Sequence, residues 1–269
     1  MHPSRLAYTD DFAADDTREA APEHGRSTEN ELLRALPQDE FDRVMAHAEL
    51  VPLKPRQVLV EANLSVLHAY FIETGTASVL ASASQRKPME VCLVGRRGFV
   101  GLPIVLGTGR TPMRVMVQMK GQAWRVPGAE FETLIQECPT LHKVLLAHIQ
   151  GRLNQEALLN ICNACHTVPE RIGRWLLMAS DRMRSNHIPA THDLIARMLG
   201  VRRPGVTAAL GNLERRGVIK LTRGSVEIRQ TKTLERCACR CSQRIDFEYD
   251  RLLKTSLGGP HTEFEAVSI

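Results

Sequence analysis

Two groups of residues in this 269-residue chain have types and spacings that suit chemistry. The first is basic. Arg202 and Arg203 stand side by side, Thr207 follows one helical turn later, and Arg197, Lys220 and Arg223 flank them. A guanidinium donates two parallel hydrogen bonds to guanine O6 and N7, and a threonine offers a hydroxyl and a methyl to base edges. The flanking cations suit phosphate neutralisation, a sequence-independent contact that salt weakens. His192 is placed to reach a phosphate as well. The second group is thiol. Seven cysteines fall at 92, 138, 162, 165, 237, 239 and 241. CNACH puts Cys162, Cys165 and His166 together, half of a zinc or redox site. CACRC puts Cys237, Cys239 and Cys241 among Arg236, Arg240 and Arg244, which would lower the thiolate pKa values of exposed thiols. Its alternate spacing suits a strand with all three on one face. Buried cysteines more often act as small apolar residues, so packing is the expected role and no metal is expected. An odd number of cysteines without a secretory signal argues against a disulfide scaffold. Catalytic signatures are missing: the chain has no P-loop, no G-x-S-x-G elbow and no H-E-x-x-H, and an enzyme is not expected.

Charge sharpens the first reading. The whole chain carries +5, yet residues 1–40 balance at −6 and residues 182–229 at +7. A basic segment of that size suggests a nucleic-acid partner, and a solvated basic face is the plain alternative. No apolar run is long enough to span a membrane, and the start of the chain resembles no targeting segment, so a cytoplasmic protein without a membrane partner is expected.

The elements that would position these residues follow from periodicity. Residues 1–27 are polar, acidic and aperiodic, and read as a disordered tail. ENELLRALPQDEFDRVM spaces Leu32, Leu33, Leu36, Phe41 and Val44 helically around a break at Pro37. From 51 to 127 come six short strand-like runs, QVLVEA, HAYFIE, TASVLA, MEVCLV, RVMVQM and QAWRVP, separated by turn residues that include Gly75 and Gly121. This is the signature of a sandwich, barrel or jelly roll. After Pro139, Leu141, Leu145, Ile149, Leu153, Ala157 and Ile161 form an i, i+4 row on a helix of about 25 residues. Such a helix bridges domains or packs against a partner copy, and Leu145, Ile149, Leu153 and Ile161 are the expected dimer seam. In THDLIARMLGVRRPGVTAALGNLERRGVIKLTRGSVEIRQ, Thr191 is the N-cap of a helix that Gly200 ends. A second helix starts near Arg202–Pro204 and buries Val206, Leu210 and Leu213. VIKLT and VEIRQ then form a hairpin across Arg223–Gly224. The order is that of a winged helix-turn-helix, whose second helix enters the major groove. The expected DNA-binding set is Arg202, Arg203, Thr207, Thr191, His192, Arg197, Lys220 and Arg223.

Residues 30–255 resemble a Crp–Fnr family transcription regulator. The matching stretches are ENELLRALPQDEFDRVM, AYFIETGTASVL, GRRGFVGLPIVLG at the phosphate-cassette position, and IARMLGVRRPGVTAALGNLERRGVI in the reading head. The resemblance implies an α+β chain in three parts: a cyclic-nucleotide-binding-like β-roll or jelly-roll sensor domain over 28–135, a dimerisation helix over 136–166 and a winged helix-turn-helix over 167–255. It implies a homodimer on a near-palindromic double-stranded DNA site, with RNA polymerase as a further partner. Members that bind cyclic AMP carry a Glu after the cassette glycine and an Arg followed by Ser or Thr. Here those positions hold Leu102, Met113 and Arg114. Burying a phosphate without a charged partner is costly, so cyclic nucleotide is not expected in the usual mode and no cofactor is assigned. The candidate ligand-binding residues are Gly98, Gly101 and Arg114, the last of which reaches the phosphate if the loop shifts register by one residue. Iron–sulfur members use cysteines near the N-terminus, and none here precedes Cys92. In the recognition helix Arg203 keeps the family's first base-reading role, Pro204 replaces its Glu and Ala208 its last Arg, which shifts weight to DNA shape. A ligand- or thiol-sensing protein whose main partner is another protein is the alternative.

Overall fold

The computed structural model describes residues 28–82 and 88–259; the acidic segment over 1–27 lies outside the described residues. Helix α1 (Glu31–Arg34) starts where the Asn30 side chain accepts from the backbone N–H groups of Leu32 and Leu33. Pro37 then opens α2 (Gln38–Ala46). The roll follows: β1 (Glu49–Leu53), β2 (Val58–Val60), β3 (His68–Ala81), β4 (Met89–Val94), β5 (Phe99–Val100), the one-turn helix α3 (Leu102–Val105) and β6 (Arg114–Pro127). The sheet runs β1-β6-β3-β4, with β2 also on β6 and β5 also on β3. All its pairings are antiparallel.

Two of the expected strand boundaries are absent. HAYFIE and TASVLA form one 14-residue strand, and so do RVMVQM and QAWRVP. The glycines between them bend these strands rather than end them. Gly75 has φ +74°, and the ladder between β3 and β6 shifts register on either side of it. A Cβ on Gly121 would overlap the Thr74 carbonyl, and one on Gly75 would overlap that of Lys120. Each glycine therefore lets the facing backbone approach at the bend, which is a recurrent use of glycine inside a strand.

Helix α4 (Gly128–Glu137) closes the roll, whose core centres on Phe71, Phe99 and Phe131, with ring centroids 5.7–6.3 Å apart. Helix α5 (Pro139–Cys165) is 27 residues long. Its first half is core: Leu141, Val144 and Leu145 are completely buried against the roll. Leu145 is thus removed from the expected dimer seam, because the roll of its own chain already covers it. Beyond the roll the same row emerges, leaving Leu153 62% and Ile161 58% exposed.

The second core belongs to α6 (Val168–Met183), β7 (His187–Ile188), α7 (His192–Leu199), α8 (Arg203–Arg215), β8 (Ile219–Thr222) and β9 (Ser225–Ile228). The strands pair in the order β7-β9-β8, so the expected hairpin gains a third strand. Ile172, Leu176, Ile195, Val206, Leu210, Val218 and Val226 fill the space beneath them. The last elements among the described residues are α9 (Thr231–Cys237) and α10 (Cys241–Ser256). The CACRC segment is therefore a helix end, a break and a helix start, not a strand. Helix α10 runs back along α5, and its Tyr249 ring meets His148 edge-on at 5.7 Å. Among the described residues no helix is long and apolar enough to cross a membrane.

Candidate nucleic-acid interface

The corner between α7 and α8 is built from local signals. Thr191 Oγ1 accepts from the Leu194 backbone N–H, satisfying one orphan donor at the start of α7. Gly200 takes the left-handed conformation (φ +62°) that ends α7, and Val201 N–H closes the cap on Ala196 O. Pro204 lies in the first turn of α8, where its missing N–H costs nothing. The buried stripe of Val206, Ala209, Leu210 and Leu213 fixes the rotation of α8.

That rotation leaves Arg202, Arg203, Thr207 and Ala208 exposed on one side. Added Cβ atoms on Gly205 and Gly211 would meet nothing within 4 Å, so this face is open to a closely approaching surface. Among the described residues Arg202, Arg203, Lys220 and Arg223 make no ion pair. Lys220 and Arg223 are exposed on the wing, on β8 and in the turn after it. Besides Thr191, three expected residues are found engaged. His192 Nδ1 lies 3.0 Å from Thr207 Oγ1, joining the start of α7 to the outward face of α8. Arg197 pairs with Asp193 at 3.5 Å. Exposed pairs of this i, i+4 type are worth only about 0.3–0.5 kcal/mol, so a phosphate can displace the carboxylate cheaply.

The cassette residues have other employment. A Cβ on Gly98 would sit 3.1 Å from His148 Cε1, so α5 covers that position. Gly101 (φ +133°) lets the cassette lie on Ala69, whose Cα is 3.1 Å from where a Cβ would be. Arg114 holds Glu61 through two hydrogen bonds of 2.8 and 2.6 Å on the exposed surface. The three residues named as ligand-binding are thus two packing glycines and a surface ion pair. Between β4, α5 and α10 there is a cavity of only about 50 Å³. Ligand pockets typically run to roughly 300–1,000 Å³, a size reached instead by a second cleft of about 520 Å³ between β4, the far half of α5, α6 and the end of α7. The crevice is closed by α10: Tyr249 donates to the Arg97 carbonyl, and the Arg97 guanidinium pairs with Glu31, Asp246 and Asp250.

Buried His148, which lines this crevice, and half-buried Glu90, which lines the larger cleft, have displaced pKa values. His148 is enclosed by Phe99, Tyr249 and the Gly98 backbone. Burial disfavours its imidazolium and lowers its pKa to about 4. Glu90 on β4 is raised to about 7, mainly by burial, although a hydrogen bond from Ser78 Oγ and the Arg182 charge oppose the shift.

Cys92 and Cys138 are packing residues in the core of the roll, whereas three other thiols converge with a histidine. Cys162, His166, Cys239 and Cys241 bring their ligand atoms within 4.8 Å of one another. Cys165, the other half of the C-x2-C pair, is exposed and outside the group; Cys237, half-buried against the second core, is outside it too. The Cys162 thiol is drawn well below the ordinary thiol range, first by its hydrogen bond with Cys239 and also by the Arg174 charge. Sequence reasoning missed the set because two of its members stand more than 70 residues from the others. Its local traces are Cys162 and His166 at i, i+4 spacing and Cys239 and Cys241 two residues apart, and neither pair is complete by itself.

Residues 50–138 match the family model of the cyclic nucleotide-binding domain, and residues 170–237 match that of the Crp-like helix-turn-helix domain. Similar solved structures include the FixK2 protein of Bradyrhizobium japonicum, 15% identical, with a TM-score of 0.62 over 71% of this chain and 98% of that one. Another is a CRP/FNR-family transcriptional regulator from Thermus thermophilus, 23% identical, with a TM-score of 0.60 over 71% and 98%. A third is the c-di-GMP-responsive global regulator CLP of Xanthomonas campestris, 16% identical, with a TM-score of 0.60 over 71% and 99%. At these identities the likeness is one of fold. No curated protein matches the chain.

Proposed function

Since the chain belongs to the Crp–Fnr family of transcription regulators, we propose that it reads a near-palindromic DNA site as a homodimer and does so without cyclic AMP held in the family's usual mode. The observation that carries this reading is the outward face of α8. Arg202 and Arg203 project from it free of ion pairs among the described residues, with Thr207, whose hydroxyl meets His192, and two glycines that leave room for a groove wall beside them. Arg203 takes the role of base reader, with Arg202 and Thr207 beside it. Arg197, Lys220 and Arg223 neutralise phosphates, and Thr191 and His192 hold the start of α7 at the backbone. One head offers few base contacts, so specific binding requires two heads acting together.

Dimerisation falls to the exposed stretch of α5. Leu153 and Ile161 are large apolar residues in water, and the half-buried Ile149 continues their row. The domain limits that go with this reading are 28–135 for the roll, 136–166 for the dimerisation segment and 167–255 for the reading domain. RNA polymerase is the further partner that a regulator of this kind implies. The roll is an unsuitable cyclic AMP site for three reasons of chemistry. Leu102 stands where a ribose-binding Glu is needed, Arg114 is spent on Glu61, and α10 occupies the crevice beside α5.

Leu153→Glu tests the dimer. A charge placed in an apolar seam loses its hydration without gaining a partner. Sedimentation at low micromolar concentration should show a monomer, and affinity for a two-fold-symmetric duplex should fall at least about tenfold, because the second head no longer binds intramolecularly. A variant that stays dimeric removes α5 from the interface.

A further inference from the structure

We propose that Cys162, His166, Cys239 and Cys241 form a structural zinc site that ties the end of α5 to the break between α9 and α10. Three thiolates and one imidazole are an established donor set for closed, tetrahedral zinc. With Zn–S of about 2.3 Å and Zn–N of about 2.0 Å, neighbouring ligand atoms in such a site lie roughly 3.5–3.8 Å apart. Here Cys162 Sγ and Cys239 Sγ are 3.4 Å apart, and Cys241 Sγ and His166 Nδ1 are 3.7 Å apart. No pair in the set exceeds 4.8 Å. The donors therefore already surround one point and need only small adjustments.

The chain is arranged to produce this convergence. Cys162 lies on the last turn of α5 and His166 is the residue that ends that helix. Cys239 sits in the break after α9, and Cys241 begins α10. Gly173 on α6 lets Ala238 approach so closely that an added Cβ would be 3.0 Å from the Ala238 Cβ. The Cys239 N–H also reaches the Glu170 carbonyl at 3.4 Å. Both contacts press the CACRC break onto the first turns of α6, which follow directly on the end of α5. Cys162 and Cys239 are buried, while Cys241 and His166 are half-buried, which gives a closed site with a path for metal entry.

Charge supplies the independent observation. Arg171 and Arg174 are both buried on α6, and among the described residues neither makes an ion pair with a carboxylate. The Nε atom of each lacks a hydrogen-bond partner. Arg171 donates to the Leu199 carbonyl, and Arg174 reaches only the Met178 sulfur at 3.3 Å. Buried guanidinium groups without a counter-charge are costly. Their charges act on Cys162, and Arg171 acts on Cys239 as well. Zinc bound by three thiolates and a neutral imidazole retains one net negative charge, the counter-ion that these arginines lack. The three thiol protons leave to solvent as the metal binds.

The site lies where α5 hands over to α6, the joint between the roll and the reading domain. A metal there fixes the angle between the long helix and the head. The site can be read without DNA, so its failure would leave the DNA-reading proposal standing, and the reverse also holds.

The test uses the full chain purified under reducing conditions. Elemental analysis should find about one zinc per chain. Replacement by Co²⁺ should give the visible bands of tetrahedral cobalt with thiolate-to-metal charge transfer. Cys239→Ser and His166→Ala should each lose most of the metal, whereas His166→Cys, which restores a fourth thiolate, should keep it. Cys165→Ser and Cys237→Ser should leave the content unchanged. Because the cobalt spectrum is read on the unmutated chain, a misfolded variant does not decide the matter. A metal-free chain that takes up no Co²⁺ overturns the proposal. So does iron with acid-labile sulfide at the site, or a Cys162–Cys239 disulfide in place of the metal.

Discussion

Arg203→Ala is expected to weaken binding to the best DNA site by about 2–6 kcal/mol, roughly 30-fold to 10⁴-fold. Each bidentate arginine–guanine contact is worth about 1–3 kcal/mol of discrimination, and a two-fold site uses the residue twice. The arginine is exposed at the first position of α8, with the helix rotation fixed by Val206, Leu210 and Leu213 beneath it. The loss should be confined to specific sequences. Affinity for random duplex should fall far less, and the preference at one base pair per half-site should relax. Lys220→Ala gives the contrasting pattern, with weakening spread evenly over all sequences and a salt dependence reduced by about one phosphate contact per head. Competition titrations against singly substituted duplexes separate the two. An Arg203→Ala chain with unchanged base preferences would show that the residue does not read bases.

The second large effect concerns His148 and Glu90, whose shifts oppose each other. His148 titrates near 4 in the folded chain against 6.5 in its ordinary state. The unfolded chain therefore binds more protons between those values, and stability is lost as pH falls from 6.5 to 4. The displacement corresponds to about 3 kcal/mol. Glu90 titrates near 7 in the folded chain against 4.5. Here the folded chain holds the extra proton, so stability is lost as pH rises from 4.5 to 7, by about 3 kcal/mol as well. The two contributions nearly cancel between pH 4.5 and 6.5. Single substitutions expose them. Relative to the unmutated chain, His148→Phe should gain stability as pH falls through 6.5 to 4, and Glu90→Gln should gain it as pH rises from 4.5 to 7. Urea unfolding midpoints across that range provide the difference curves. Flat differences would show that neither group is held in the wrong charge state by burial.

How far each element is legible in the sequence depends on how local its cause is. Thr191, Gly200 and Pro204 act within a turn of themselves, so the reading head follows from its own forty residues. The roll is legible as a set of strand runs, but Gly75 and Gly121 read as turns. Whether a glycine ends a strand or bends it depends on the backbone facing it, here Thr74 and Lys120. The long helix is legible by period. Its single row nevertheless serves two environments: Leu141 and Leu145 meet the roll, while Leu153 and Ile161 lie beyond the roll's edge. Periodicity gives the face of a residue and not what stands opposite it. The thiol group is the least legible part. CNACH and CACRC are each incomplete, and only the return of α10 along α5, together with the break at Ala238, brings them to one point. Arg174 on α6 supplies the charge that acts on Cys162, whereas the sequence pointed to Arg236, Arg240 and Arg244 around CACRC.

The central claim is that two α8 helices read DNA as a pair. Its most direct test is selection from a random duplex pool with the purified, reduced full chain at moderate salt and no nucleotide added. The account predicts enrichment of a two-fold-symmetric site whose half-sites lie about one helical turn apart, each with a guanine that Arg203 can reach. A pool that stays random, with or without added cyclic nucleotide, would contradict it.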